Sequence, residues 1–171
     1  MSFSDKIKKR IVFLDRDGVV NIEKGRYVFE ITDFEFVSGL FEALSHLKKN
    51  GFEFIIITNQ GGISKGLYSK KQVDILNGYI EKEFEKHNIP LLDILYCPHH
   101  NEIENCICRK PNSGLFEKAI AIYNVDTKQS VMIGDNDRDI EAAEKVGISG
   151  IKMNKNSNLN VYIQQIIQAI D

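Results

Sequence analysis

At 171 residues, 43% of them hydrophobic and 27% charged, the chain has enough apolar material for one domain with a substantial core and is neither disordered nor fibrous. No apolar run nears the roughly 20 residues of a membrane-spanning helix, and the opening MSFSDKIKKR lacks the apolar stretch of a secretory signal, so a soluble, cytoplasmic protein is expected. A net charge of −2 provides no general field for nucleic acid, and any anion must be bound locally.

Ile11, Val12, Phe13 and Leu14 predict a short buried strand, with the basic run Lys6 to Arg10 as its solvated approach. After an irregular stretch, Val19 to Ser38, the segment GLFEALSHLKKNG places Leu40, Phe41, Leu44 and Leu47 at helical spacing and stops at Gly51. FEFIIITN is a continuous apolar run too short for a helix, which suits a central parallel strand covered on both faces. SKKQVDILNGYIEKEFEKHN opens on Ser69 with Gln72 three residues on, a capping-box signature, and then carries Val73, Leu76, Ile80 and Phe84 as a core stripe. LLDILYC reads as a third strand leading into a cysteine-bearing loop. A helix from about Ser113 to Tyr123, the strand SVMIG, the helix RDIEAAEKVG and the strand SGIKM follow. LNVYIQQIIQAI puts Leu159, Tyr162, Ile163, Ile166, Ile167 and Ile170 on one helical face, read as core rather than as a partner surface, so a monomer is expected.

The alternation of strand and helix predicts an α/β fold, a three-layer, Rossmann-like open parallel sheet forming a single domain over residues 1–171. No interval holds a separate cap domain, which leaves short cap loops and an open pocket. In such sheets ligands bind beyond the carboxyl ends of the strands. Those ends read DRD after strand one, TNQGG after strand two and GDNDRD after the strand at Val131.

Taken alone, Asp15 and Asp17 are ordinary strand-ending turn residues, Thr58 ends a strand, Lys110 is a loop lysine, and Asp135 and Asp137 cap a helix. Brought to one rim, they do chemistry. Clustered carboxylates repel unless a cation intervenes, and Mg2+, with its preference for oxygen ligands including one or two carboxylates, suits Asp15 and Asp135. Asp15 is then free to attack phosphorus, and Asp17, two residues on, would protonate the leaving oxygen and afterwards deprotonate the hydrolytic water. Thr58 and Lys110 would hold the phosphoryl oxygens.

DRDG, TNQ, CRKP and GDNDRD resemble, in order and spacing, the four motifs of the haloacid dehalogenase superfamily of phosphotransferases, over about Arg10 to Lys152. The resemblance implies that fold, with Asp15 as nucleophile, Asp17 as acid and base, Thr58 and Lys110 as phosphoryl contacts, and Mg2+ held by Asp15, Asp135 and the main-chain carbonyl of Asp17. It leaves Asp139 either behind the metal's ligands or as a carboxylate adjacent to the metal. Arg16, Asn59, Gln60 and Asn136, which lie within the motifs, come with them as substrate-binding candidates. The family often has Thr or Ser near Val19, a minor contact missing from this chain.

All three cysteines fall within CPHHNEIENCICRKP. Cys97, His99, Cys106 and Cys108 supply the soft ligands of a closed, structural Zn2+ site, with His100 as the alternative imidazole; a disulfide is disfavoured in a cytosolic chain. Such a site would fix a loop that runs directly into Arg109 and Lys110.

Within the superfamily the zinc loop resembles histidinol phosphatases and D-glycero-D-manno-heptose 1,7-bisphosphate 7-phosphatases. GRYVFEITDFEFVSG and TNQGGISKGLY resemble the heptose enzymes more. That resemblance implies a small sugar-phosphate substrate surrounded by the loop Glu23, Lys24, Gly25, Arg26, Tyr27, the loop Gly61 to Gly66, and Arg109. The chain departs in having Gly61 where Ser is common and one extra residue around Arg26. Lys24, Arg26, Lys65 and Arg109 are the cations available for a second phosphate. Two other classes stay open: a phosphatase of nucleic-acid ends, against which the neutral overall charge and the lack of a basic, aromatic-rich groove count, and a non-catalytic zinc-stabilised module, against which the complete carboxylate set counts.

Overall fold

A computed structural model describes residues 7–170 of the chain. Its five-stranded sheet has the order β3-β2-β1-β4-β5, where β1 is Ile11–Leu14, β2 Glu53–Asn59, β3 Leu91–Cys97, β4 Val131–Gly134 and β5 Ser149–Lys152. Every pairing is parallel. The chain winds from β1 outward through β2 to β3 and then returns to the other side of β1 for β4 and β5. The winding therefore reverses between β1 and β4, and the crevice beyond their carboxyl ends is where such a sheet takes a ligand.

Strand periodicity explains why the runs are apolar throughout. Val12 and Leu14 of β1, Phe54 and Ile56 of β2, and Val131 and Ile133 of β4 point into one core, and Ile11, Phe13, Ile55, Ile57 and Met132 point into the other. The first core is closed by α1 (Leu40–Lys49), α2 (Lys70–Lys86) and α5 (Ile163–Gln168), the second by α3 (Gly114–Tyr123) and α4 (Asp137–Glu144). The three expected layers are present. The stripe Val73, Leu76, Ile80 and Phe84 is fully buried, and the capping box is formed: Gln72 N donates to Ser69 Oγ and Ser69 N to Gln72 Oε1.

Two expectations change. The last segment is not one helix but a 3-10 turn, Leu159–Tyr162, followed by the short α5; Asn158 caps the turn by accepting from Asn160 N. Its apolar face still packs on the first core. In the basic run, Lys6 lies outside the described residues, while Lys9 pairs with Glu53 at 2.9 Å and Arg10 lays its guanidinium over the Phe52 ring at 4.7 Å. This approach is tied to the strand edge rather than simply solvated.

Candidate active site

Each strand of the central trio ends on a polar residue at the same rim. Asp15 follows β1, Thr58 lies next to the end of β2, and Asp135 follows β4; with Asp17 they line one cavity of about 400 Å³. Gly18 is what lets β1 and β4 close on each other. Its φ is +89°, and a Cβ there would sit 2.4 Å from Asp135 Oδ2, so both the backbone and the space exclude a side chain.

Lys110 enters beneath this rim from the loop before α3 and is almost completely buried. Its Nζ donates to Asp15 Oδ1 at 2.9 Å and to the Ile57 carbonyl at 2.7 Å. It also lies 2.7 Å from Asp139 Oδ1, off the hydrogen-bonding direction, so that this contact is chiefly ionic. Burial alone would lower the Lys110 pKa, but the two carboxylates overcome it and hold the ammonium form. Burial pushes Asp15 up to about 7; Lys110 opposes the rise, and Asp139 and Asp17 add to it. Asp135 is raised as well, by burial first and by Asp139 second. The oxygens of Asp15, Asp135 and Asp139 lie within 4.8 Å of one another. One lysine does not balance three such carboxylates, and a hard divalent cation fits the donor set. Asp139 reaches the site from α4, where it also accepts from Asn136 N at 3.1 Å and completes a second capping box.

Asp17 turns away from that cluster. Its carboxylate accepts from Arg16 Nη2 at 2.9 Å, Asn21 Nδ2 at 3.1 Å and Gln60 Nε2 at 3.2 Å. Arg16 is itself buried and does not line the cavity; Nη2 also bonds the Val28 carbonyl at 2.6 Å, while Nε and Nη1 have no partner among the described residues. Asn59 uses both ends of its amide on the Lys110 backbone, accepting at 3.0 Å and donating at 3.1 Å. The two residues thus weld β2 to the lysine loop.

The rim divides the other candidates. Glu23, Gly25, Arg26, Tyr27, Asn59, Gly61, Arg109 and Asn136 line the cavity; Arg16, Lys24 and Gln60 do not. Lys24 is drawn to Asp33, as is the fork of Arg26, whose Nη1 and Nη2 bond Asp33 at 2.5 and 2.7 Å, and Lys65 pairs with Glu102 at 2.8 Å. Gly61 has a reason to lack a side chain: a Cβ would meet Arg109 Nη1 and His100 Cδ2 at 2.9 Å. Two further cations are not among the candidates drawn from the sequence. Arg138 of α4 and Lys155 of the loop after β5 both line the cavity, Lys155 pairing with Glu23 at 2.8 Å. No motif marks Lys155, and Arg138 sits among the GDNDRD acids, where an arginine looks like a solvated helix residue.

Behind Arg109, the ligand atoms of Cys97, His99, Cys106 and Cys108 gather within 4.8 Å of one another. Sulfur–sulfur separations of 3.1 and 3.6 Å and His99 Nδ1–sulfur separations of 3.3 and 3.5 Å approach the edges of a tetrahedron whose metal–sulfur bonds are about 2.3 Å. Burial pushes Cys106 up, yet the backbone N–H groups of Arg109 and Cys108 and the neighbouring thiols bring it down to about 7, which favours a thiolate ligand. The imidazole choice resolves to His99. His100 instead lines the cavity at the strand ends and takes the Glu102 N–H on Nδ1.

Comparison with known proteins agrees with this geometry. A family model for HAD-hydrolase-like proteins matches residues 107–161. D-glycero-alpha-D-manno-heptose-1,7-bisphosphate 7-phosphatase of Campylobacter jejuni is 43% identical over 136 residues, covering 80% of this chain and 77% of that protein. The chain belongs to the heptose-1,7-bisphosphate 7-phosphatase family. Its class is that of the phosphoric monoester hydrolases of the haloacid dehalogenase superfamily. The D-glycero-beta-D-manno-heptose-1,7-bisphosphate 7-phosphatase of Haemophilus ducreyi is similarly close, 41% identical over 82% of this chain and 80% of its own length. Among solved structures, the D,D-heptose 1,7-bisphosphate phosphatase of B. bronchiseptica, crystallised with magnesium and phosphate, superposes with a TM-score of 0.79 at 26% identity, over 91% of this chain and 86% of that one.

Proposed function

We propose that this chain removes the 7-phosphate of D-glycero-D-manno-heptose 1,7-bisphosphate through an aspartyl-phosphate on Asp15, with Mg2+ as the catalytic cation and Zn2+ as a structural one. The observation that carries the reading is Asp15 itself, a buried carboxylate at the switch point of the sheet, paired at Oδ1 with Lys110 and next to Asp135. The activity of its relatives in Campylobacter jejuni and Haemophilus ducreyi supplies the substrate.

Lys110 Nζ and the Arg16 N–H at 2.8 Å both hold Asp15 Oδ1, which orients the carboxylate so that Oδ2 is the attacking oxygen. Attack on phosphorus forms the acyl phosphate as the bond to the sugar oxygen breaks; Asp17, as the acid, gives its proton to that oxygen. Asp17 then takes a proton from water, the hydroxide attacks the same phosphorus, and inorganic phosphate leaves with Asp15 restored. Lys110 and the Thr58 hydroxyl meet the charge on the transferred oxygens. Asp15 and Asp135, with the main-chain carbonyl of Asp17, would hold Mg2+, which would supply neutralisation of the acidic rim and polarisation of the phosphoryl group. Arg109, Arg138 and Lys155 are the cations for the second phosphate, with Arg26 at the outer edge. The zinc loop holds Arg109 over the cavity. The enzyme acts as a cytoplasmic monomer on a small ester, without nucleic acid or membrane as partner.

The test compares turnover of both heptose bisphosphate anomers, histidinol phosphate and a 5′-phosphorylated oligonucleotide. Heptose bisphosphate is expected to lead, and Asp15→Asn to lose at least about a thousandfold in kcat with its native fold retained by circular dichroism. Faster turnover of histidinol phosphate or of the oligonucleotide would overturn the substrate, and full activity of Asp15→Asn would overturn the mechanism.

A further inference from the structure

Behind Asp17 and Thr58 lies a buried polar chain that runs beyond the motifs to Tyr68. Tyr68, in the loop that leads into α2, is 5% exposed, and its hydroxyl lies 2.8 Å from Gln60 Oε1. Gln60 is 2% exposed, and its Nε2 bonds both Thr58 Oγ1 at 2.9 Å and Asp17 Oδ2 at 3.2 Å. The direction of every bond follows from chemistry. The amide nitrogen, which only donates, lies against both Thr58 Oγ1 and the Asp17 carboxylate, and the amide oxygen, which only accepts, faces Tyr68, so the tyrosine hydroxyl must donate. Burial keeps Tyr68 protonated for this, its pKa pushed up to about 12. Because Thr58 Oγ1 accepts from Gln60, the threonine proton remains available to the cavity.

The tyrosine ring is held as firmly as its hydroxyl. Phe29 stacks on it, 4.8 Å between centroids and 15° between planes, and Tyr27 meets it edge-on at 5.5 Å. The backbone of Gly62 also approaches so closely that a Cβ would stand 2.1 Å from the ring. Tyr27 lines the cavity, so the Tyr68 side chain meets a cavity-lining residue with its ring and reaches Asp17 only by way of the Gln60 amide.

Resting on the phosphatase reading above, we infer that Tyr68 is a positioning residue: its hydroxyl sets the orientation of the Gln60 amide, and that amide aligns Asp17 for proton transfer to the leaving group. The two halves of the side chain separate experimentally. Tyr68→Phe keeps the ring and is expected to lower kcat about tenfold with KM within about twofold, whereas Tyr68→Leu also raises KM. The kcat loss in Tyr68→Phe should be several-fold larger for an alkyl phosphate than for p-nitrophenyl phosphate, whose leaving group departs without a proton. In a Gln60→Leu background the further change Tyr68→Phe is expected to alter kcat by less than twofold, because the link is already cut. Gln60→Glu, which puts a carboxylate oxygen against Asp17, should lower kcat more than Tyr68→Phe does, and Gln60→Met, which keeps the length of the side chain without its amide, replaces Gln60→Leu as the background if that variant does not fold. Unchanged kcat in Tyr68→Phe, equal losses on the two esters, or the same tenfold loss without Gln60 would each overturn the inference. The parent enzyme separates the two readings: turnover of p-nitrophenyl phosphate without turnover of heptose bisphosphate overturns the proposed substrate only, and histidinol phosphate then serves as the alkyl ester.

Discussion

Burying Lys110 between Asp15 and Asp139 is stable only while the charges remain paired, and the pairing is incomplete without a cation. The sign of the consequence is fixed by the raised Asp15 pKa. Between its ordinary value of 3.8 and about 7 the unfolded chain has lost this proton and the metal-free native state retains it, so the Asp15 contribution to stability falls as pH rises across that window. A divalent cation that favours the ionised form removes the loss. The melting-temperature gain on adding MgCl2 is therefore expected to be larger at pH 7.5 than at pH 5.5, measured by thermal denaturation, and Asp15→Asn is expected to flatten the difference. A gain independent of pH would separate Mg2+ from Asp15. That Asp15 and Lys110 belong to one rim was legible in the order of motifs, because one sits directly after a strand and the other directly before a proline and a helix; that Lys110 Nζ donates to Asp15 Oδ1 needed the fold.

At the scale of elements, the cysteine loop has few apolar contacts of its own, and Ile103 and Ile107 are exposed at 59% and 82%. What holds it is the packing of Cys97 and its neighbours on the second core, together with the four-ligand cluster. Arg109 leaves this loop, its N–H on Cys106 Sγ and its Nη1 on the His99 carbonyl, so the loop's geometry is the geometry of the guanidinium. Removing Zn2+ with a chelator is expected to lower the melting temperature and to raise KM for the bisphosphate more than it lowers kcat, and re-adding Zn2+ should restore both. Unchanged KM after verified zinc loss would disconnect loop and substrate. The spacing of the cysteines announced such a cluster, but choosing His99 over His100 needed the fold, since adjacent residues in a loop point wherever the backbone turns.

At the scale of the whole molecule, the sheet carries the site because β1, β2 and β4 bring three polar ends to one rim from sequence positions as distant as 15 and 135. That arrangement is only as rigid as the two cores clamping β1. Phe13, fully buried and 5.2 Å from the Phe116 ring, is the largest side chain of that strand. Phe13→Ala is expected to cost about 3–5 kcal/mol in urea denaturation, with the slope of the transition unchanged, and to inactivate the enzyme at correspondingly lower temperature. A cost below about 1 kcal/mol would mean that β1 is not clamped as described. By itself the sequence determined the strands, the helices up to the last, their alternation and the acidic and cysteine motifs, because periodicity, caps and strand-end residues are local properties of the chain. Only the tertiary structure decided which candidates share the cavity: it buried Arg16 and Gln60 behind Asp17 with Tyr68 against Gln60, drew Lys24 off to Asp33, and brought in Arg138 and Lys155. The physical reason is that a side chain's direction beyond a strand end depends on the path of its loop, and that path is set by partners far away in sequence.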